Sequence, residues 1–332
     1  MELHRATNTA AGRGVRTLAL ATAAVGTAEL GLHRVVAPAL AHIPGAARSV
    51  AVTDALTWAG ERAFAGTAVL AVSAALAAGA VMLRDRRPLG ALVLVTVIVT
   101  LIDGATAGVG FAFAGHVFAL AAMVAIAGDA ARSGGPSSRL SFAALGLTAL
   151  GLGAAQWPLL VDSWSALIGG PAASGSALMA WTLAEAALVA APVGFALAVL
   201  AAGTPTRLAW GAATAAALLA GAFLGAEPGY AGIIAIWATG SALALPPFAY
   251  VLSAACAALV LATWLRSSSS RHLAAGLVLV AVAGVQPAVV HHNLTAVLAL
   301  LLLAAAAPGH TRSSTASPAE RVTVRAPLRA VE

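Results

Sequence analysis

The stretch Thr27-Ala28-Glu29-Leu30-Gly31-Leu32-His33-Arg34 places an acid, an imidazole and a guanidinium inside the first long apolar run of the chain. Residues four apart share a face of an α-helix, so this spacing predicts that Glu29 and His33 lie side by side. Ionisable side chains at membrane depth are costly and mark a functional site by default. The stretch therefore predicts a transmembrane helix that carries part of a site.

The composition around this stretch is that of an integral membrane protein. Of the 332 residues, 61% are hydrophobic and 9% are charged, and the mean hydropathy is +0.93. These values lie outside soluble globular usage. The apolar runs, rich in Ala, Leu, Val and Gly, show no sustained alternation, which favours helices over barrel strands. We expect an all-α polytopic protein of the plasma membrane, surrounded by the lipid bilayer.

The positive charge is an orientation signal. A net charge of +6 would suggest nucleic acid in a soluble protein, but here all 18 basic residues are Arg and most fall between apolar runs. We expect no nucleic-acid partner. Cys256 is the only cysteine, which excludes an intrachain disulfide and a thiolate cluster.

Ten apolar segments predict ten transmembrane helices with both termini cytoplasmic. We expect a cytoplasmic segment at 1–16, a helical bundle at 17–307 and a disordered tail at 308–332. The apolar segment 229–245 is short enough to be re-entrant. If it does not cross, three Arg face out and fifteen face in; if it crosses, the tally is nine against nine, so the charge bias favours ten spans. The spans lie near 17–41, 62–83, 89–110, 111–129, 140–156, 176–202, 207–226, 247–265, 273–290 and 293–307.

A weak internal sequence repeat suggests a duplication of five plus five helices. Ala28-Glu29 to Ala37-Pro38 resembles Ala184-Glu185 to Ala191-Pro192. Duplicated halves are common among transporters, whose sites lie at the repeat interface. An Ala-rich chain also gives such similarities by chance, so duplication and chance similarity both remain open.

The ionisable residues of the predicted spans share one depth. With a helical rise of about 1.5 Å per residue and a hydrocarbon core of about 30 Å, five of them lie roughly 6 to 12 Å below the outer edge. Two further histidines, just before the last span, cap its outer turn. The predicted ligand-binding residues are Glu29, His33, Asp103, His116 and Glu185, and the predicted metal ligands are His33, His116, His291 and His292.

This residue set supports three chemical hypotheses. The first is a metal or haem site for redox chemistry or metal handling, because imidazoles and carboxylates without thiolates suit copper, zinc or iron, or haem through axial histidine. The second is a proton-coupled transporter of a small solute, in which Glu29, Asp103 and Glu185 titrate. The third is an intramembrane enzyme acting on a lipid or isoprenoid. The ligand is a small molecule or an ion in each case.

The same residues also allow purely structural roles. Arg34 beside Glu29, or beside an acid of a neighbouring helix, would form a neutralising ion pair. His33 and His116 would be interfacial side chains that bond to loop carbonyls. Trp58 and Trp157 fit an aromatic belt at the outer boundary.

Overall fold

The computed structural model describes residues 10–36, 40, 45, 49–105, 112–131, 136–168, 174–226, 247–265, 270–285 and 290–307. This part of the chain contains ten α-helices and no strands, which confirms the all-α part of the predicted fold class. The helices are α1 (Ala10–Leu30), α2 (Val50–Asp85), α3 (Arg87–Ala105), α4 (Ala112–Ala130), α5 (Pro136–Ile168), α6 (Ser174–Ala202), α7 (Arg207–Ala226), α8 (Pro247–Trp264), α9 (Ser270–Val285) and α10 (Val290–Ala306).

Three stretches of these helices are long and apolar enough to cross a membrane. They are Val50–Arg84 in α2, Pro136–Gln156 in α5 and Thr182–Ala202 in α6. Five shorter apolar helices accompany them within the described ranges. The structure is thus compatible with a membrane protein, while the ten crossings and the orientation of the termini stay predictions.

The last helix, α10, is the centre of the bundle. It packs against α1, α2, α3, α4, α5 and α9, and its side chains from Asn293 onward are almost all buried. A helix that is apolar on every side is typical of a fully enclosed position. The four residues Leu294, Leu298, Leu300 and Leu303 are each no more than 1% exposed.

Small residues allow close helix packing elsewhere. A Cβ added at Gly151 of α5 would lie 2.6 Å from Leu188 Cγ of α6, and one added at Gly194 of α6 would lie 3.1 Å from Ala144 Cβ of α5. Glycine and alanine at such contacts let backbones approach, as in membrane helix pairs. The α5–α6 pair is therefore fixed in register over several turns.

Two helices are longer than predicted. The stretch 50–61, expected as part of an external connection with a short interfacial helix, forms the first turns of α2, because no proline interrupts the chain from Val50 to Asp85. Just after this stretch, Arg62 stacks on the ring of Trp58, with its Cζ 5.6 Å from the ring centroid. The fifth helix, expected to end at 156, runs to Ile168. The helix continues past Pro158, because a proline removes one hydrogen bond of a helix without always ending it.

One ion pair joins two connections that the sequence predicts on the same side. Arg86, between α2 and α3, pairs with Asp129 in the last turn of α4. Both residues belong to predicted cytoplasmic connections. The segment 229–245 and the tail 308–332 lie outside the described residues, and nothing described tests the duplication.

Candidate functional site

Glu29 lies in the last turn of α1 and is only 3% exposed. Gly26, three residues earlier on the same face, packs closely on both neighbouring helices, because a Cβ there would lie 3.0 Å from Val282 Cγ2 of α9 and 3.9 Å from Thr67 Cγ2 of α2. Leu30 packs on Ala281 and Val282. Glu29 is therefore enclosed where α1 meets α2 and α9.

The chain after Glu29 winds differently from the prediction. Gly31–Val36 has π-helical geometry, whose hydrogen bonds run from i to i+5 and whose single turns are frequent at functional sites. The prediction that Glu29 and His33 share a face assumed α-helical spacing. The side chain of His33 lies outside the described set, so the prediction that it shares a face with Glu29 stays a prediction.

Glu185 lies in α6 and is 1% exposed. Val189, one turn further on the same face, packs against Tyr250 of α8. Glu185 therefore belongs to the face of α6 that meets α8. Pro192, inside the same helix, cannot donate to the carbonyl of Leu188, which weakens the helix just below the acid.

The two acids occupy different parts of the bundle. Their helices, α1 and α6, share no extended packing among the described residues; α1 packs with α2, α9 and α10, and α6 with α5 and α8. A direct proton transfer between Glu29 and Glu185 is thus not supported. Each acid lies within its own group of helices.

His116 of α4 lies at the junction of three helices and is half-buried. Its Nδ1 is 3.3 Å from Gln156 Oε1 of α5 and 3.1 Å from Asn293 Nδ2 of α10. Asn293 is 2% exposed and Gln156 is 7% exposed. The partners of His116 are side-chain amides instead of the loop carbonyls considered from the sequence.

These two contacts limit which ring nitrogen of His116 carries the hydrogen. One neutral ring nitrogen cannot accept a hydrogen bond from Asn293 and donate one to Gln156 at once. One of the two side-chain amides is therefore rotated by about 180°, so that its oxygen and nitrogen exchange places. With the Asn293 oxygen toward the ring, Nδ1–H is shared by two carbonyl oxygens and the Nε2 lone pair is left for a proton or a metal. With the Gln156 nitrogen toward the ring, the single Nδ1 lone pair is shared by two N–H donors and Nε2–H is a donor. Either arrangement fixes the ring plane.

No relative supplies a function for this arrangement. No family model, curated protein or solved structure matches the chain.

Of the predicted site, the structure describes the side chains of Glu29, His116 and Glu185. The side chains of His33, Asp103, His291 and His292 lie outside the described set. Among the residues with described side chains, no group of three or more His, Cys, Asp or Glu could hold a metal ion. The site of converging imidazoles and carboxylates stays a prediction.

Two residues of the His116 cluster were missed as site residues. Neither Gln156 nor Asn293 was among the predicted site residues. The available signal was an amide side chain inside an apolar run, which needs a hydrogen-bond partner at depth. That signal predicts a partner without identifying which one.

The hydrogen bond between His116 and Gln156 is expected to couple the two residues energetically. We expect His116→Leu and Gln156→Leu each to destabilise the protein, and the double variant to lose about 0.5 to 1.5 kcal/mol less than the sum. Thermal unfolding of the four purified proteins in one detergent measures this. Additive losses would show that the contact contributes nothing to stability.

Proposed function

We propose that the protein is a ten-span plasma-membrane transporter that couples the movement of protons to that of a small solute. Glu29 and Glu185, with Asp103 as a further predicted acid, are the groups that take up and release protons. His116, in its amide cluster, lines the path near the outer face. Both termini are cytoplasmic in this proposal.

The observation that carries the proposal is the burial of two acids in an apolar helix bundle. Glu29 and Glu185 are 3% and 1% exposed, on α1 and α6, and the described helices around them are dominated by Ala, Leu and Val. Burying a carboxyl group at this depth is costly, and such residues are typical of proton relays in transporters.

A solute panel tests the proposal directly. The purified protein is reconstituted into vesicles with a pH-sensitive dye inside, and small solutes are added outside one at a time. We expect at least one solute to drive proton entry that protein-free vesicles do not show. Solute uptake with no proton movement would contradict proton coupling.

The predicted topology has its own test. A reporter fused after Glu332 should be active only in its cytoplasmic form, and a reporter inserted between 169 and 173 only in its external form, because fifteen Arg then face the cytoplasm. A C-terminal fusion that is active outside would show that 229–245 crosses and that the count of ten is wrong.

A second candidate function, a metal or haem site, has one observation in its favour. Asn293 brings the start of α10 to His116, and His291 and His292 directly precede Asn293 in that helix. Holding Nδ1 in a hydrogen bond is how proteins orient a ligating imidazole. Copper or haem bound to the purified protein would show as bound metal or as a Soret band. Absence of both after adding each one would exclude this candidate.

A further inference from the structure

An open apolar groove runs between α4, α5 and α6. It has a volume of about 680 Å³, within the roughly 300–1,000 Å³ of small-ligand sites. Its walls include Leu120 and Val124 of α4, Gly146 and Leu150 of α5, and Met179 and Leu183 of α6. Val124 is 56% exposed and Met179 is 73% exposed, so the groove opens on the outer surface of the bundle.

The groove follows the antiparallel seam between α4 and α5. At one end, His116 bonds to Gln156, and one turn below, the Leu120 side chain fills the space beside Gly153. At the other end, the lining residues are Ala131 and Phe142. The contact between α4 and α5 is therefore closed above Leu120, and the groove between these two helices extends from Leu120 to their predicted cytoplasmic ends.

The α4 wall of the groove has about the length of one leaflet of a bilayer, while the α6 wall continues to Met179, near the predicted outer end of that span. The twelve residues from Leu120 to Ala131 span about 16 Å on a helix, and half of a hydrocarbon core is about 15 Å. On the predicted topology, Ala131 lies at the inner boundary and Leu120 near the midplane. An acyl chain of the cytoplasmic leaflet occupies this same depth.

The mouth of the groove carries positive charge. Arg139 of α5 is exposed and lies one turn before Phe142, on the same face. Among the described residues, no acid forms an ion pair with it, and Asp129, in the last turn of α4, is neutralised by Arg86. A phosphate at the inner boundary is the complementary group.

We infer that this groove binds one acyl chain of an anionic phospholipid of the cytoplasmic leaflet, with the phosphate held by Arg139. The bilayer supplies this ligand at high local concentration, and the charge at the mouth matches a phosphate, which favours a lipid over a second copy of the chain. The inference rests on the proposed orientation in the membrane and not on proton coupling.

The bound chain would contact the helix that carries Glu185 without reaching the acid. Leu183 lines the groove, and Glu185, two residues on, is rotated by about 200° around α6. The lipid therefore supports α6 from the side opposite its contact with α8. This position makes the lipid a structural partner of the α6 site.

The experiment uses phosphatidylglycerol with a photoreactive acyl chain, in nanodiscs that contain the full-length protein. Gly146→Leu places a side chain in the groove, where a Cβ meets nothing within 4 Å. Gly211→Leu of α7 is the matched control, since its Cβ also meets nothing within 4 Å and it lies outside the groove. We expect labelling of α4 and α5 peptides to fall about tenfold in Gly146→Leu, because several methylene contacts are lost, and to stay at the wild-type level in the control.

The headgroup is tested in the same assay. Wild-type protein should be labelled several-fold more by phosphatidylglycerol than by phosphatidylcholine, and Arg139→Gln should lose this preference while Arg207→Gln keeps it.

Equal labelling of the two glycine variants would overturn the groove assignment. An unchanged preference in Arg139→Gln would overturn the assignment of the phosphate to Arg139. Self-association that Gly146→Leu abolishes, with lipid labelling unchanged, would assign the groove to a second copy instead. Solute-driven proton uptake is measured separately, so failure of either proposal is recognised on its own.

Discussion

Replacing Glu185 or Glu29 by glutamine is expected to lower solute-driven proton uptake by about 100-fold or more. Glutamine keeps nearly the volume of glutamate and can still form hydrogen bonds, but it cannot take up or release a proton at neutral pH. Both residues are buried, so a water molecule is a poor substitute for the lost carboxyl group. The measurement is the initial rate of proton entry into vesicles that contain equal amounts of each protein.

Glu61→Gln is the matched control for both changes. Glu61 is also a helical glutamate, but it is exposed on the first turns of α2, so proton uptake should stay close to the wild-type rate. If Glu29→Gln and Glu185→Gln both transported protons as fast as Glu61→Gln, the acids would have structural roles only. Loss of uptake in all three variants would point to damage to the bundle.

Gly90→Ala is expected to destabilise the bundle by more than about 3 kcal/mol, at the upper end of what overpacking costs. Gly90 lies in the first turn of α3, where the chain has just reversed from α2, and a Cβ at this position would overlap the main chain at Leu83 and Met82. Main-chain atoms cannot rotate away as a flexible side chain can. The α2–α3 pair would have to separate, and thermal unfolding of the purified protein would show a lower melting temperature.

Gly14→Ala is the control for this substitution. Gly14 is helical, and a Cβ there meets nothing within 4 Å. Alanine is the better helix former, so this variant should be stabilised by up to about 1 kcal/mol. A melting temperature of Gly90→Ala equal to that of Gly14→Ala would show that α2 and α3 do not approach as closely as described.

The sequence predicted the helices better than their ends. Every predicted apolar span corresponds to a described helix, because a long Ala- and Leu-rich run without regular alternation suits only helices. The start of α2 at Val50 and the end of α5 at Ile168 were not predicted. Polar and aromatic residues such as Trp58 were taken as signs of a connection, but a polar helix that leaves the apolar layer contains the same residues.

The burial of the two acids was predictable from the sequence, and the hydrogen-bond partners of His116 were not. Glu29 and Glu185 are conspicuous in sequence because they interrupt apolar runs, and both are indeed buried. The contact of His116 with Gln156 and Asn293 joins residues that are 40 and 177 positions apart, which only helix packing can define. The relation of Glu29 to His33 depends on the π-turn at Gly31–Val36, and no residue pattern in that stretch indicates this geometry.

Gradient-driven accumulation tests the central proposal most directly. The solute that best drives proton entry is added to vesicles with and without an imposed proton gradient, acidic outside, and its internal concentration is followed. The proposal predicts accumulation above the external concentration only when the gradient is present, and simple equilibration or no uptake in Glu29→Gln and Glu185→Gln. Equal accumulation of the solute with and without the gradient would contradict it.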